Sequence, residues 1–261
     1  MHRVALSDGV TIAYHDEGAG PPLLLLHGFP GTARSHLGVL IDALRADYRV
    51  LAPDLRGYGA SRPPARSFPP DFYQRDAADM AALLDALQPG PVVVVGFSDG
   101  SESAILLAAA RPDLVRGVVA IGVSGVISSS MAASARTWLP TSAWGPARAA
   151  WRAEIVADQG EEQLEPLIAG WVAAALAIHQ AGGNICYTEA AAVRCPVMLV
   201  NGDGEVNNLQ EDFLRLAARI PAGRAVIVPA SGHSIQVDQP EVLLAHMRAF
   251  LAEIDGDWQE R

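Results

Sequence analysis

Lysine is absent: all 19 basic residues of this 261-residue chain are arginine. Without a lysine amine there can be no Schiff base with a carbonyl substrate, no pyridoxal phosphate attachment and no phosphate-loop lysine. Cysteine is scarce, with only Cys186 and Cys195 and neither a C-x-x-C nor a zinc-type spacing. A disulfide framework and a structural metal are therefore not indicated, and a reducing cytoplasm is the expected location. Positive charge is also short. A formal net charge of -10 with no arginine cluster lacks the dense basic face that a phosphate backbone needs, so no nucleic acid partner is expected. Long apolar runs are missing too: residues 23–26 and 91–95 fall far short of the ~20 needed to cross a bilayer. The first ten residues carry Arg3, Ser7 and Asp8 in place of the apolar stretch of a signal peptide. No membrane partner and no export are expected.

What is present is 50% hydrophobic and 18% charged, a makeup that can bury a sizeable core. Single α/β domains often run to about 250 residues, so one domain carrying an insertion accounts for the length. Short apolar runs alternate with amphipathic stretches, the pattern of β-α units feeding a mostly parallel central sheet flanked by helices. Strands are predicted at 11–15, 23–27, 49–53, 92–96, 117–123, 197–201 and 225–229. Helices are predicted at 34–46, 71–87, 101–110 and 241–254. Between about 126 and 184 the strand-like runs vanish, and four of the five tryptophans fall there: Trp138, Trp144, Trp151 and Trp171. The expected division is an α/β core of residues 1–125 and 185–261 with a helical cap at 126–184. The tryptophans either pack that cap on the core or roof a pocket.

The sharpest local pattern is G-x-S-x-G at residues 96–100, directly after an apolar run and before a helix. This is the arrangement that projects a nucleophilic serine from a tight strand-to-helix turn, and the turn leaves no room for side chains at Gly96 and Gly100. Ser98 would be the nucleophile. A serine hydroxyl needs a base, and His233 lies late in the chain in a loop between a predicted strand and the last helix. His2, His15, His36, His179 and His246 form no metal-type spacing, so no metal site is expected. An orienting acid should follow a strand between the two, and at 197–205 both Asp203 and Glu205 qualify. The H-G-F-P-G run at 27–31 follows an early strand and can supply oxyanion donors. The expected pair is the backbone amides of Phe29 and Asp99, since Pro30 cannot donate. His27 itself reads as a structural hydrogen bonder.

Taken together, these motifs resemble the α/β-hydrolase fold superfamily over essentially the whole chain. Residues 54–64 (DLRGYGASRPP), 68–72 (FPPDF), 74–77 (QRDA), 96–100 (GFSDG) and 183–186 (GNIC) are similar, within it, to the biphenyl-hydrolase-like family. The resemblance implies a serine hydrolase of α-amino-acid esters, with an acid loop of G-x-x-D form whose matching position here is Glu205. It also implies that the acidic residue after the nucleophile, Asp99, binds the substrate ammonium. A carboxylate in a semi-enclosed pocket pairs with a primary ammonium far better than it would in water. The other reading of Asp99 is that its charge complements the helix dipole. The chain departs from the family pattern at Glu205, at Asn207 and Asn208 after it, and at Ser101, which stands where a second glycine is usual and is expected to narrow or polarise the pocket floor.

The function expected is a cofactor-independent serine hydrolase of small carboxylic esters. A thioesterase, an amidase or a carbon-carbon bond hydrolase would use the same residues, and a non-catalytic ligand-binding protein would share the frame. Epoxide hydrolases and haloalkane dehalogenases carry an aspartate nucleophile in the elbow, and Ser98 counts against both. The expected partner is a small-molecule ester, and the sequence leaves a homodimer open.

Overall fold

Runs of valine and leucine without polar alternation suit strands covered on both faces. The computed structural model describes residues 1–259, and the apolar runs form its sheet. The strands are β1 (His2–Ala5), β2 (Thr11–Glu17), β3 (Pro22–Leu26), β4 (Arg49–Pro53), β5 (Val92–Phe97), β6 (Val115–Ile121), β7 (Val197–Gly202) and β8 (Gly223–Val228). Among the described residues they build one sheet in the order β1-β2-β4-β3-β5-β6-β7-β8. The first two pairings, β1 with β2 and β2 with β4, are antiparallel, and the rest are parallel.

Alternate residues of one strand feed two separate cores. Val92 and Val94 of β5 face one cluster together with Leu24, Leu26, Val118 and Leu199. Val93 and Val95 face the other with Leu23, Leu25, Val119 and Val200. Each fully buried valine or leucine contributes about 1.5–3 kcal/mol. The helices α1 (Ala33–Leu44) and α9 (Pro240–Gln259) cover the second cluster. On the first lie α2 (Phe72–Leu87) and α3 (Asp99–Ala110), the latter so enclosed that every residue from Asp99 to Ala108 is buried.

The chain leaves the sheet after β6 and returns before β7 through α4 (Ser129–Arg136), α5 (Ala149–Gln159) and α6 (Glu161–Gln180). Its two ends lie side by side: Val126 bridges Asn184, and the Ile127 amide donates to Gly183 O at 2.8 Å. After β7 come α7 (Gln210–Arg219) and α8 (Ile235–Asp238).

The departures from the predicted elements have local causes. β1 has no apolar run to announce it and forms because its backbone can pair with β2 from His2↔Tyr14 to Ala5↔Thr11. The strand predicted to end at Val123 ends at Ile121, because Gly122 turns the chain at φ +67. Helix α7 carries a clear apolar stripe, Phe213, Leu216 and Ala217, that the sequence reading does not use.

At the turn between β5 and α3, a Cβ on Gly96 would lie 2.5 Å from Gly100 O and from Ser101 Cα. Both are backbone atoms that cannot rotate aside. Gly96→Ala is expected to destabilise the protein by at least about 1–3 kcal/mol, seen as a lower urea midpoint. An unchanged midpoint would contradict this packing.

Candidate active site

Ser98 sits between the end of β5 and the start of α3 at φ 53, ψ -123, a conformation that L-residues adopt only when their surroundings impose it. The surroundings here are specific. The Ser98 amide donates to Ile121 O at 2.8 Å, and the Ser98 carbonyl accepts from the Ser101 amide at 2.7 Å. A Cβ on Gly100 would lie 2.2 Å from Leu26 O, so only glycine lets the turn press against the end of β3. The hydroxyl is thereby lifted above the strand ends.

The loop after β8 brings His233 to it, with Nε2 3.0 Å from Ser98 Oγ. His233 Nδ1 lies 2.5 Å from Glu205 Oε2, so the Ser98 hydroxyl, imidazole and carboxylate form one hydrogen-bonded line. Asp203, the competing acid, stands outside the line and accepts from the Ser231 amide at 3.4 Å. The two asparagines that depart from the family pattern hold Glu205. The Asn207 amide donates to Oε1 at 2.6 Å, and Asn208 Nδ2 bridges Oε2 at 3.4 Å and Gly122 O at 2.9 Å. Burial works to raise the Glu205 pKa, but its hydrogen bond and charge interaction with His233 outweigh this and hold it below the usual glutamate value.

The amides of Phe29 and Asp99 have no protein acceptor among the described residues. Close approach of their two loops is possible because Gly28 has no side chain; a Cβ there would lie 2.8 Å from Ser98 Cβ. Under the loop, His27 Nε2 accepts from the Leu55 amide at 2.9 Å and Nδ1 lies 2.9 Å from Gly28 O. Burial lowers the His27 pKa to about 4, so the ring is neutral and the sequence reading of it as a structural hydrogen bonder holds.

A cavity of about 550 Å³ opens over Ser98. Trp138, Trp151 and Trp171 line it, while Trp144 stacks behind Trp151 with centroids 4.8 Å apart. Phe29, Trp171 and Trp138 form a continuous stack, with centroids 5.4 and 4.9 Å apart. Asp99 faces the same cavity. Its carboxylate accepts from Tyr73 OH on one oxygen and Trp171 Nε1 on the other, both at 2.9 Å, and caps no helix amide. Neither donor is a cation. The Arg66 guanidinium is committed to Asp76 by two bonds of 2.6 Å and acts on Asp99 only through space. Burial therefore dominates and pushes the Asp99 pKa up to about 6, against the lowering by the two hydrogen bonds. Burial likewise raises Glu102, one turn further along α3, to about 7, although the Cys186 thiol and the Gly125 and Ser124 amides donate to it.

Ser101 does not shape the pocket floor. Its hydroxyl donates to Ile121 O at 2.9 Å and accepts from the Ile121 amide at 2.8 Å, because its place on α3 faces β6. Tyr73, Glu102 and His36 also line the cavity, and the sequence reading places none of them in the site. Of these, only Glu102 had a readable cue, the i, i+3 spacing from Asp99 that puts both on one helix face. Among the described residues no group of three His, Cys, Asp or Glu side chains could hold a metal ion, and no helix is long and apolar enough to cross a membrane.

Comparison with known proteins agrees with this architecture. The profile of the alpha/beta hydrolase family matches residues 23–246. The serine hydrolase BPHL of Mus musculus is 30% identical over 240 residues, spanning 90% of this chain and 80% of its own length, and that of Homo sapiens matches equally. The structure of a thermophilic esterase from Thermogutta terrifontis superposes with a TM-score of 0.72 at 23% identity, over 97% of this chain and 99% of the other. With a matching profile over most of its length, the chain belongs to the alpha/beta hydrolase family.

Proposed function

We propose that the protein is a serine hydrolase of small carboxylic esters, with Ser98 as nucleophile, His233 as general base and Glu205 as orienting acid. The observation that carries this reading is the 3.0 Å contact between Ser98 Oγ and His233 Nε2. As Oγ attacks the ester carbonyl, His233 takes its proton, and the carbonyl electron pair becomes an oxyanion facing the Phe29 and Asp99 amides. Collapse expels the alcohol, which takes the proton from His233. A water then gives up its proton to His233 and attacks the acyl-enzyme, and Ser98 recovers its hydrogen as the acid leaves. Glu205 holds the Nδ1–H tautomer and stabilises the imidazolium without taking the proton itself. Residues 126–184 act as a cap, and their tryptophans screen the reaction from bulk water.

Within this class the reading supported by the lining of the cavity is an α-amino-acid ester. Asp99 is a buried carboxylate whose hydrogen bonds come from neutral donors, so a substrate ammonium would supply the counter-charge that the protein withholds.

Ser98→Ala is expected to lower esterase turnover by ~10³-fold or more without unfolding the protein. Glu205→Ala should slow turnover strongly and Asp203→Ala only slightly. Retained activity in the first variant removes the nucleophile assignment, and the reverse ranking of the other two moves the acid to Asp203.

The ammonium reading has its own test in the pair phenylalanine benzyl ester and its des-amino analogue. Asp99→Asn is expected to reduce kcat/KM for the amino ester at least ~10-fold more than for the analogue. Because the Asp99 pKa is raised to about 6, the carboxylate is charged above that pH and neutral below it. In the unsubstituted protein the preference for the amino ester should therefore decline as pH falls through about 6. Every effect common to both substrates cancels in the ratio. Equal losses in Asp99→Asn, or a pH-independent ratio, would leave Asp99 a structural role only.

A further inference from the structure

The loop that carries the Phe29 amide is held on both sides by contacts that lead to helix α5. Gln159, the last residue of α5, is only 1% exposed and spends its whole side-chain amide on the backbone of the core. Its Nε2 donates to Pro30 O at 2.9 Å and to Gly31 O at 3.2 Å, and its Oε1 accepts from the Gly59 amide at 3.0 Å. The Gln159 carbonyl also accepts from Arg62 Nη1 at 2.6 Å. Five residues earlier, Glu154 meets His36 Nε2 at 3.2 Å, while His36 Nδ1 accepts from the Gly28 amide at 3.2 Å. The residue before Phe29 and the two after it are thus fixed. Of the amides at residues 28–31, that of Phe29 is the one left without a protein acceptor among the described residues.

We propose that Gln159 is a positioning residue that keeps the Phe29 amide aligned with the Asp99 amide, so that the oxyanion site is complete only while α5 is seated on the core. This rests on the reading of those two amides as oxyanion donors. A backbone amide stabilises a developing oxyanion only if its direction is set in advance, and direction is set by the peptide planes on either side. Gln159 fixes the following planes through their carbonyls. It does so from residues 126–184, the part of the chain that lies across the cavity, rather than from the sheet. Lifting α5 would remove two donors from the loop and one acceptor from Gly59, leaving the loop free to turn the Phe29 amide away. An opened cavity would then admit ester and water without stabilising the transition state, and reseating of α5 over bound substrate would restore the site. Substrate admission and catalytic competence become linked through one buried amide.

The test is Gln159→Met, which keeps length and packing and the backbone contact with Arg62 but removes every polar contact of the side chain, measured on p-nitrophenyl butyrate. Loss of a whole oxyanion donor lowers kcat ~10²–10³-fold, so misalignment of one donor should lower kcat ~10- to 100-fold with KM within about threefold. Affinity for phenethyl trifluoromethyl ketone, whose Ser98 adduct places an oxyanion in the site, should fall in parallel with kcat/KM. The fluorophosphonate titre should stay at one per chain. Unchanged kcat in the folded variant overturns the proposal, as does a rise in KM with kcat and ketone affinity retained, since Gln159 would then only seat the helix. If Gln159→Met does not fold, Gln159→Asn decides on the same readouts, because it keeps the amide but shortens its reach by one methylene. A protein without substitution that takes up no fluorophosphonate overturns the catalytic reading itself, and the proposal with it.

Discussion

A hydrogen bond between side chains 135 residues apart, Ser98 Oγ to His233 Nε2, is the constraint on which the site depends. Neither residue could find the other without the sheet. β5, β6, β7 and β8 lie next to one another in parallel register, so their carboxyl ends and the loops after β5, β7 and β8 converge on one edge. Open α/β sheets gather ligands at that edge for the same reason. The register is held by valines and leucines buried on both faces, a strong and non-specific force. Specificity comes from small groups at the ends: glycines at 96, 100 and 122 that let backbones touch, and Asn208, which ties Glu205 to the end of β6.

The carboxylates around the cavity show how far position alone divides one chemistry. Glu205 meets an imidazole and two asparagines and is held below its ordinary pKa. Asp99 and Glu102 meet neutral donors in an enclosed space and are pushed up to about 6 and about 7. For these two the folded pKa lies above the ordinary aspartate and glutamate values of 3.8 and 4.5. The folded state therefore binds their protons more tightly, and each group takes away stability as pH rises from its ordinary pKa through the folded one. Such a cost is usual where a site keeps charge ready for a ligand.

Much of this was legible in the sequence, and for particular reasons. All seven predicted strands appear: β3 to β7, buried on both faces over most of their length, write themselves as apolar runs, and β2 and β8, partly exposed, still carry short ones. β1 does not, since an exposed edge strand is held by backbone pairing with β2 rather than by its side chains. The residues at the turn after β5 and in the loop after β8 were readable because tight turns demand glycine and a serine demands a base. The choice between Asp203 and Glu205 was not readable from spacing, since both follow β7 and only the loop's path decides which faces His233. Ser101 reads as a pocket group from its place one turn after Ser98, whereas the phase of α3 turns its hydroxyl toward β6. Tyr73 and Gln159 leave no trace, being ordinary polar residues whose partners lie 26 and more than 100 positions away, and Asn208 shows in the sequence only as a departure from the family pattern, not as the tie to Gly122 86 positions away.

The most direct measurement is the mass of the intact, folded protein after exposure to a fluorophosphonate, followed by peptide mapping. The account predicts a single adduct on Ser98 that forms rapidly and is strongly slowed in His233→Ala. No adduct on the folded protein, or an adduct whose rate ignores His233, would contradict it.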